Sequence, residues 1–206
     1  RVLFRSVPGF YDDVEEVPQA EREMIAHIPF DEKKYKEAIG VKELFGEKGY
    51  STLERNSCRP SFDVCGIWGG YTGEGSKTVL PSKAYAKVSC RLVAHQDHHK
   101  ISQMFADYIL QMAPDTVQVK VTPMHGGQGY VCPISLPAYQ AAEKGFEIAF
   151  GKKPLAVRRG GSIPIISTFE QVLGTKTVLM GFGLESDAIH SPNENFSLDI
   201  FRKIGR

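Results

Sequence analysis

The chain has no run of apolar residues approaching the eighteen or so that a transmembrane helix needs, so no membrane partner is expected. Neither charge is in excess: 25 lysines and arginines face 24 acidic residues, for a net charge of +1. A dedicated binder of nucleic acid or anionic membrane normally carries a basic surplus, so neither class is expected. Cysteine is scarce. Four are too few for a disulfide scaffold at this length, and Cys58, Cys65, Cys90 and Cys132 form no C-x-x-C pair, which argues against a cysteine zinc site. Buried free thiols in a reducing, cytoplasmic compartment are the expectation. The residues after Arg1 are charged and lack the apolar stretch of a secretory signal. There is no initiator methionine, which points to processing or to a piece of something longer.

What is present suffices for one sizeable core or two small ones: 206 residues, 42% of them hydrophobic. Residues 1–60 are broken by prolines and charges and offer short helices such as Gln19 to His27, with no strand signal. Phe62 to Trp68 reads as a strand, and Gly69 to Ser76 as a glycine-rich turn. From Ala84 to Ala94 the chain alternates, with Val88, Cys90 and Leu92 on one face and Lys87, Ser89 and Arg91 on the other. Asp97 can cap a helix whose apolar residues Ile101, Met104, Phe105, Tyr108, Ile109 and Met112 share one stripe, ending before Pro114. Val117, Val119 and Val121 then alternate as another strand. The order β–β–α–β matches the last two-thirds of a β-α-β-β-α-β sandwich, without its first strand and helix. Helices cover one side of such a sheet, and Arg91 would point to the other.

The glycines around His125-Gly126-Gly127-Gln128-Gly129 mark a domain boundary, giving domains 1–127 and 128–206. Beyond it helix and strand alternate. The pattern predicts a helix from Pro137 to Phe150 stopped by Gly151, a short strand Leu155–Val157, a helix Ile163–Val172, a strand Thr177–Met180 and a last helix near Phe196. Two strands are too few to stand alone, so this part reads as half of a larger α/β sheet.

Three tempting motifs fail on chemistry. Gly70-x4-Gly75-Ser76-Lys77-Thr78 lacks lysine directly after the second glycine and is followed by a strand, so it cannot cradle phosphate as a P-loop does. In His95-Gln96-Asp97 the aspartate is better placed as a helix cap, and with His98 and His99 the motif reads as a solvated strand–helix corner. Asp12-Asp13 and Glu15-Glu16 read as unpaired carboxylates in water, with ordinary acidity. Two signals survive. Gly160-Gly161-Ser162 at a strand-to-helix turn can aim amides and a hydroxyl at a carboxylate, or be a tight turn with Ser162 as a cap. His190, in Asp187-Ala-Ile-His-Ser-Pro-Asn-Glu194, is either a metal ligand with Glu194 behind it or a structural histidine.

Five segments in this order resemble the dinuclear zinc aminopeptidase/carboxypeptidase family, which includes aminoacylase and carboxypeptidase G. They are Gly75-Ser-Lys-Thr-Val-Leu-Pro81, Ser89-Cys-Arg-Leu-Val93, His125-Gly-Gly127, Arg158-Arg-Gly-Gly-Ser-Ile-Pro-Ile165 and His190-Ser-Pro-Asn-Glu194. The likeness spans the whole chain and is greatest to the cytosolic non-specific dipeptidases and carnosinases. It implies an α/β architecture: a ferredoxin-like lid or dimerisation sandwich in 1–127, then the C-terminal part of a catalytic domain in 128–206. It implies that His190 is a zinc ligand, and that Arg91, Gly161 and Ser162 hold the substrate with its terminal carboxylate. It further implies that Thr78 reaches the partner subunit's active site in a homodimer and that His125 is a substrate-side histidine at the lid hinge.

The family's H-x-D pair, bridging aspartate, Glu-Glu pair and further carboxylate precede the lid and have no match here. The resemblance therefore implies a C-terminal fragment of a dipeptidase with two zinc ions, or manganese, whose general base lies upstream of Arg1. Such a fragment would be inactive alone, since a catalytic zinc takes about three protein ligands. Two alternatives stand beside it: a non-catalytic dimerisation or binding module of the same fold, and an N-acyl amino acid deacylase of the same family. Arg159 stands where close relatives often carry an acid, and Cys90 where they carry an aliphatic residue; the first leaves the substrate preference open.

Overall fold

The computed structural model describes residues 7–159 and 163–205. Helices α1 (Gln19–Ala26), α2 (Glu32–Ala38) and α3 (Thr52–Ser57) precede strands β1 (Ser61–Gly69) and β2 (Ala84–Arg91). Then follow α4 (His98–Met112), α5 (Pro137–Phe150), α6 (Ile165–Leu173) and α7 (Leu198–Ile204). Contacts divide the chain into two compact units, 7–130 with 158–159 and 163–167, and 131–157 with 168–205. No helix among the described residues is long and apolar enough to cross a membrane.

In the first unit β1 and β2 form an antiparallel pair running from Ser61 opposite Arg91 to Gly69 opposite Ala84, with an irregularity at Cys65 between Val64 and Gly66. The alternation assigns faces as the sequence predicts. Cys90 and Leu92 pack on a buried cluster of Val7, Phe10 and Ile101, together with Met104 and Phe105 of α4. The Phe62 ring lies 5.5 Å from that of Phe105. Full burial of Val7, Phe10 and Ile101 contributes roughly 1.5–3 kcal/mol each. Arg91, one residue from Cys90, is exposed. On the same strand Tyr85 stacks on Trp68, its partner in register, with ring centroids 5.2 Å apart.

Helix starts follow local chemistry. Asp97 caps α4 by accepting from the backbone N–H groups of His99 and Lys100 at 2.8 and 2.9 Å. The carboxyl of Asp97 is held below the ordinary aspartate range, first by the Lys100 N–H. Ser51 and Glu54 form a reciprocal capping box on α3. Pro137 opens α5, and Gly151 closes it in the left-handed region at φ 69°.

Several predicted elements differ. The strand expected to reach Ala94 leaves the ladder after Arg91, because Gln96 turns the chain: its Oε1 accepts from Val93 N–H at 3.0 Å, and its own N–H reaches Val93 O at 3.3 Å. Val117–Val121, Leu155–Val157 and Thr177–Met180 belong to no ladder, so β–β–α–β is realised only as β–β–α among the described residues. Alternation reports which faces a strand could bury; a strand also needs a neighbouring backbone to pair with. The helix expected at Ile163–Val172 runs Ile165–Leu173, and that expected near Phe196 begins at Leu198, where Ser197 caps it. The short α2 and α3 lack an apolar stripe long enough to be read. Of the four free thiols only Cys58 is fully buried; Cys90 and Cys132 are half-buried and Cys65 is exposed.

Candidate functional site

Arg91 is the last residue of β2, exposed on the side away from α4, and its guanidinium makes no ion pair among the described residues. An always-charged fork held on a paired strand suits bidentate capture of a carboxylate. Two residues on, Val93 begins the turn made by Gln96, which is fully buried and donates from Nε2 to Phe10 O at 2.8 Å. The end of β2 is thereby fixed to the core.

His125 is exposed, and the glycines after it explain how it is held. A Cβ on Gly126 would stand 2.4 Å from Cδ2 of His98, one on Gly127 2.5 Å from Cβ of Pro164, and one on Gly129 2.9 Å from the backbone of Val93. Three separate neighbours fill the three spaces, so only glycine lets this stretch lie between the end of β2, the start of α4 and Pro164. The structure thus brings together three of the five segments singled out in the sequence: that of Arg91, that of His125 and the described flanks of Gly160-Gly161-Ser162. Gly161 and Ser162 themselves lie outside the described residues.

Thr78 lies in the long connection between β1 and β2, at a tight turn closed by Val79 N–H on Lys77 O at 2.9 Å. The following residues are open, with Leu80 95% exposed. No helix follows Lys77, so the amide cradle of a P-loop is absent there.

His190 lies in the second unit, exposed and at φ 62°, between Ala188 at 52° and Asn193 at 65°. Left-handed backbone at three non-glycine positions persists only where surroundings enforce it. Here Asp187, 2% exposed, accepts from Leu184 N–H at 2.7 Å, and its carbonyl takes Asn195 N–H at 3.0 Å. The His190 N–H donates to Glu194 Oε2 at 3.3 Å, so Glu194 steadies the backbone of the histidine. Among the described residues no three His, Cys, Asp or Glu side chains gather to hold a metal ion. His190 offers one imidazole, and these residues alone do not fit a metal centre.

The discarded motifs differ in detail from their predicted surroundings. The His95 corner is not wholly solvated, since Gln96 is buried and His98 Nδ1 is enclosed without a partner. The acidic residues near the start are paired: Asp13 with Lys100 at 2.6 Å, Glu15 with His95 at 3.2 Å, Glu16 with the Tyr50 hydroxyl at 2.8 Å. Each is engaged locally, which leaves none of these three poised as an acid–base pair. Sequence reasoning gave Arg158 no role, yet its guanidinium forks onto Glu21 of α1, with Nε 2.5 Å from Oε1 and an amino group 2.7 Å from Oε2. Arg158 lines a small cleft together with Val93, Ala94 and Cys58. Burial pushes the Cys58 thiol up, which disarms it as a nucleophile.

Residues 16–117 match the family model described as "Peptidase dimerisation domain". A Cys-Gly metallodipeptidase of Schizosaccharomyces pombe is 30% identical over 200 residues, covering 96% of this chain and 42% of that protein. A human Beta-Ala-His dipeptidase is 28% identical over 196 residues, 93% of this chain and 38% of the relative. The crystal structure of an M20 family metallo-carboxypeptidase from Sulfolobus solfataricus superposes with a TM-score of 0.84 at 28% identity, covering 96% of this chain and 45% of that one. The chain spans about two fifths of the length of the curated relatives it matches. Its mixed helix-and-strand architecture is that of these peptidases, dimerisation domain included. Residues 16–117 are an M20 peptidase dimerisation domain, and over nearly its whole length the chain is similar to M20 family metallopeptidases.

Proposed function

We propose that the chain is the lid and C-terminal portion of a metal-dependent dipeptidase, acting on dipeptides with a free C-terminal carboxylate. Residues 1–127 form most of the lid through which two copies pair, and 128–206 the C-terminal part of the catalytic domain. Arg91 and Ser162 grip the substrate carboxylate, with Gly161 beside them. His125 lines the substrate side, Thr78 serves the partner subunit's site, and His190 supplies one ligand to a zinc or manganese ion of a two-metal site. The general base and remaining ligands come from sequence outside this chain, so the 206 residues alone do not catalyse. A cytoplasmic location rests on the cysteine usage.

The observation that carries this reading is that Gly127 packs on Pro164 and Gly129 on Val93, two residues past the end of the strand bearing Arg91. A peptide bond next to a free carboxylate needs a fixed cation to hold that end while the amide is attacked, and Arg91 is a charged fork on a rigid element. A non-catalytic binding module of the same fold is favoured only by the lack of a ligand cluster among the described residues.

The test uses the full-length enzyme. Arg91→Ala should raise KM for a dipeptide by roughly ten- to a hundredfold, the worth of a charge-assisted carboxylate contact, at unchanged metal content. His190→Ala should instead lower the bound metal. Equal metal loss in both variants overturns the assignment of roles. Chelator-sensitive cleavage of dipeptides by the 206-residue chain alone overturns the fragment reading.

A further inference from the structure

We propose that Tyr71 is a positioning residue: it folds the arm between β1 and β2 around its own ring and so sets Thr78 for the site of a second copy. The proposal rests on the reading that Thr78 serves the partner subunit's site. Residues 70–83 form neither helix nor strand. A connection of this length without regular structure is usually functional. If it were unordered, engaging a partner would cost conformational freedom. This arm is held at its root and again within. At the root Gly69 stands opposite Ala84, the last pair of the ladder, and a Cβ on Gly69 would lie 3.0 Å from Lys83 O and 3.2 Å from Ala84 Cα. The Trp68 and Tyr85 rings beside that pair are 10° from parallel.

Tyr71 reaches further along the arm. Its hydroxyl donates to Glu74 O at 3.1 Å. Its ring fills the space a side chain on Gly73 would need, with Oη 2.5 Å and Cζ 2.7 Å from where that Cβ would stand. Lys77 Nζ lies over the same ring, 5.6 Å from its centroid. Two glycines in the left-handed region, Gly70 at φ 73° and Gly75 at φ 82°, make the bends that bring these residues round the ring. Lys77 O in turn accepts from Val79 N–H at 2.9 Å, which puts Thr78 at the apex of a three-residue turn. One side chain thus engages residues 73, 74 and 77 and stops next to Thr78.

These contacts serve the arm more than the fold. Tyr71 is 50% exposed and these partners all lie in its own arm, so the contacts form and break with the arm alone. What they set is the fraction of time the arm spends in this conformation, and apparent affinity falls with that fraction. Loss of the ring should therefore raise KM and leave kcat almost unmoved. Tyr71→Phe keeps the ring beside Gly73 and Lys77 and loses the hydroxyl; Tyr71→Ala loses both.

The test uses the full-length enzyme and a dipeptide. Tyr71→Ala should raise KM roughly tenfold with kcat within twofold, and Tyr71→Phe should raise it no more than about threefold. The urea unfolding midpoint of Tyr71→Ala should match that of the unaltered enzyme. Mixed dimers then show on which subunit Tyr71 acts. A dimer of one Tyr71→Ala subunit and one Arg91→Ala subunit should regain the unaltered KM at one of its two sites, because an intact arm there meets an intact Arg91. Impairment at both sites would mean that Tyr71 acts on its own subunit, and overturns the proposal. An unmoved KM in Tyr71→Ala overturns it too, as does a lowered urea midpoint, which would make the ring part of the fold. Thr78→Ala is the separate control. If its KM rises while that of Tyr71→Ala does not, the positioning role alone fails; if its own KM stays put, the reading of Thr78 is wrong and the proposal falls with it.

Discussion

Three glycines after His125 and one in α5 are chemically identical and physically opposite. At Gly127 an added methyl would meet Pro164 Cβ at 2.5 Å and Cα at 3.2 Å, the second a backbone atom that cannot swing aside. At Gly145, inside α5, nothing stands within 4 Å and the backbone is already helical. Gly127→Ala should therefore destabilise the chain by about 1–3 kcal/mol through overpacking. Gly145→Ala should stabilise it by about 0.5–1 kcal/mol, because glycine loses more freedom than alanine on entering a helix. Urea unfolding midpoints of the two variants check the signs. A neutral Gly127→Ala would mean that Pro164 is not seated against this stretch. The same contrast shows what could be read from sequence at this scale. That Arg91 stands on a strand and His190 in a loop was legible from local pattern, whereas the reason for each glycine lay in a neighbour distant in sequence. The Glu21–Arg158 fork, spanning 137 positions, left no local trace at all.

Among elements, those that carry their own evidence were legible. α4 has an apolar stripe, a capping aspartate and a terminating proline, and α5 opens on proline and closes on glycine. β1 and β2 alternate and find each other. Val117–Val121 alternates as well, but pairing is a property of two segments and cannot be read from one. β2 also carries a titration consequence. Burial against α4, aided by Asp63 and Cys65, pushes the Cys90 thiol up to about 11. An unfolded thiol titrates near ~8.5. The folded state thus holds a proton that the unfolded state releases. The stabilisation is full below the unfolded value and is lost as pH climbs through the folded one. Unfolding midpoints should fall between pH 9 and 11, and fall less steeply in Cys90→Ala. Tyr50, also raised by burial, acts in the same direction in both proteins and cancels in the comparison. Parallel pH curves for the two would show that the thiol is not held protonated.

Across the whole molecule the apolar core is unevenly shared. The fully buried apolar side chains, Val7, Phe10, Ile25, Cys58, Phe62, Ile101, Ala106 and Ile166, all belong to the first unit. In the second, among the described residues, Phe146 stacks on Phe150 and Phe182 with centroids 5.4 and 4.9 Å apart, yet no apolar side chain is fully buried. Ile148 of α5 and Leu198 and Phe201 of α7 are 80%, 70% and 66% exposed. Local opening costs little where few apolar contacts must be broken, so protection should follow this division. In amide hydrogen exchange, β1, β2 and α4 should form the slowest group, and α5 and α7 should exchange well before them. The comparison is within one chain under one set of conditions, so differences in overall stability drop out. If α5 instead exchanged as slowly as α4, its apolar residues would have to be covered in solution, and a second copy could be recognised by protection that grows with protein concentration.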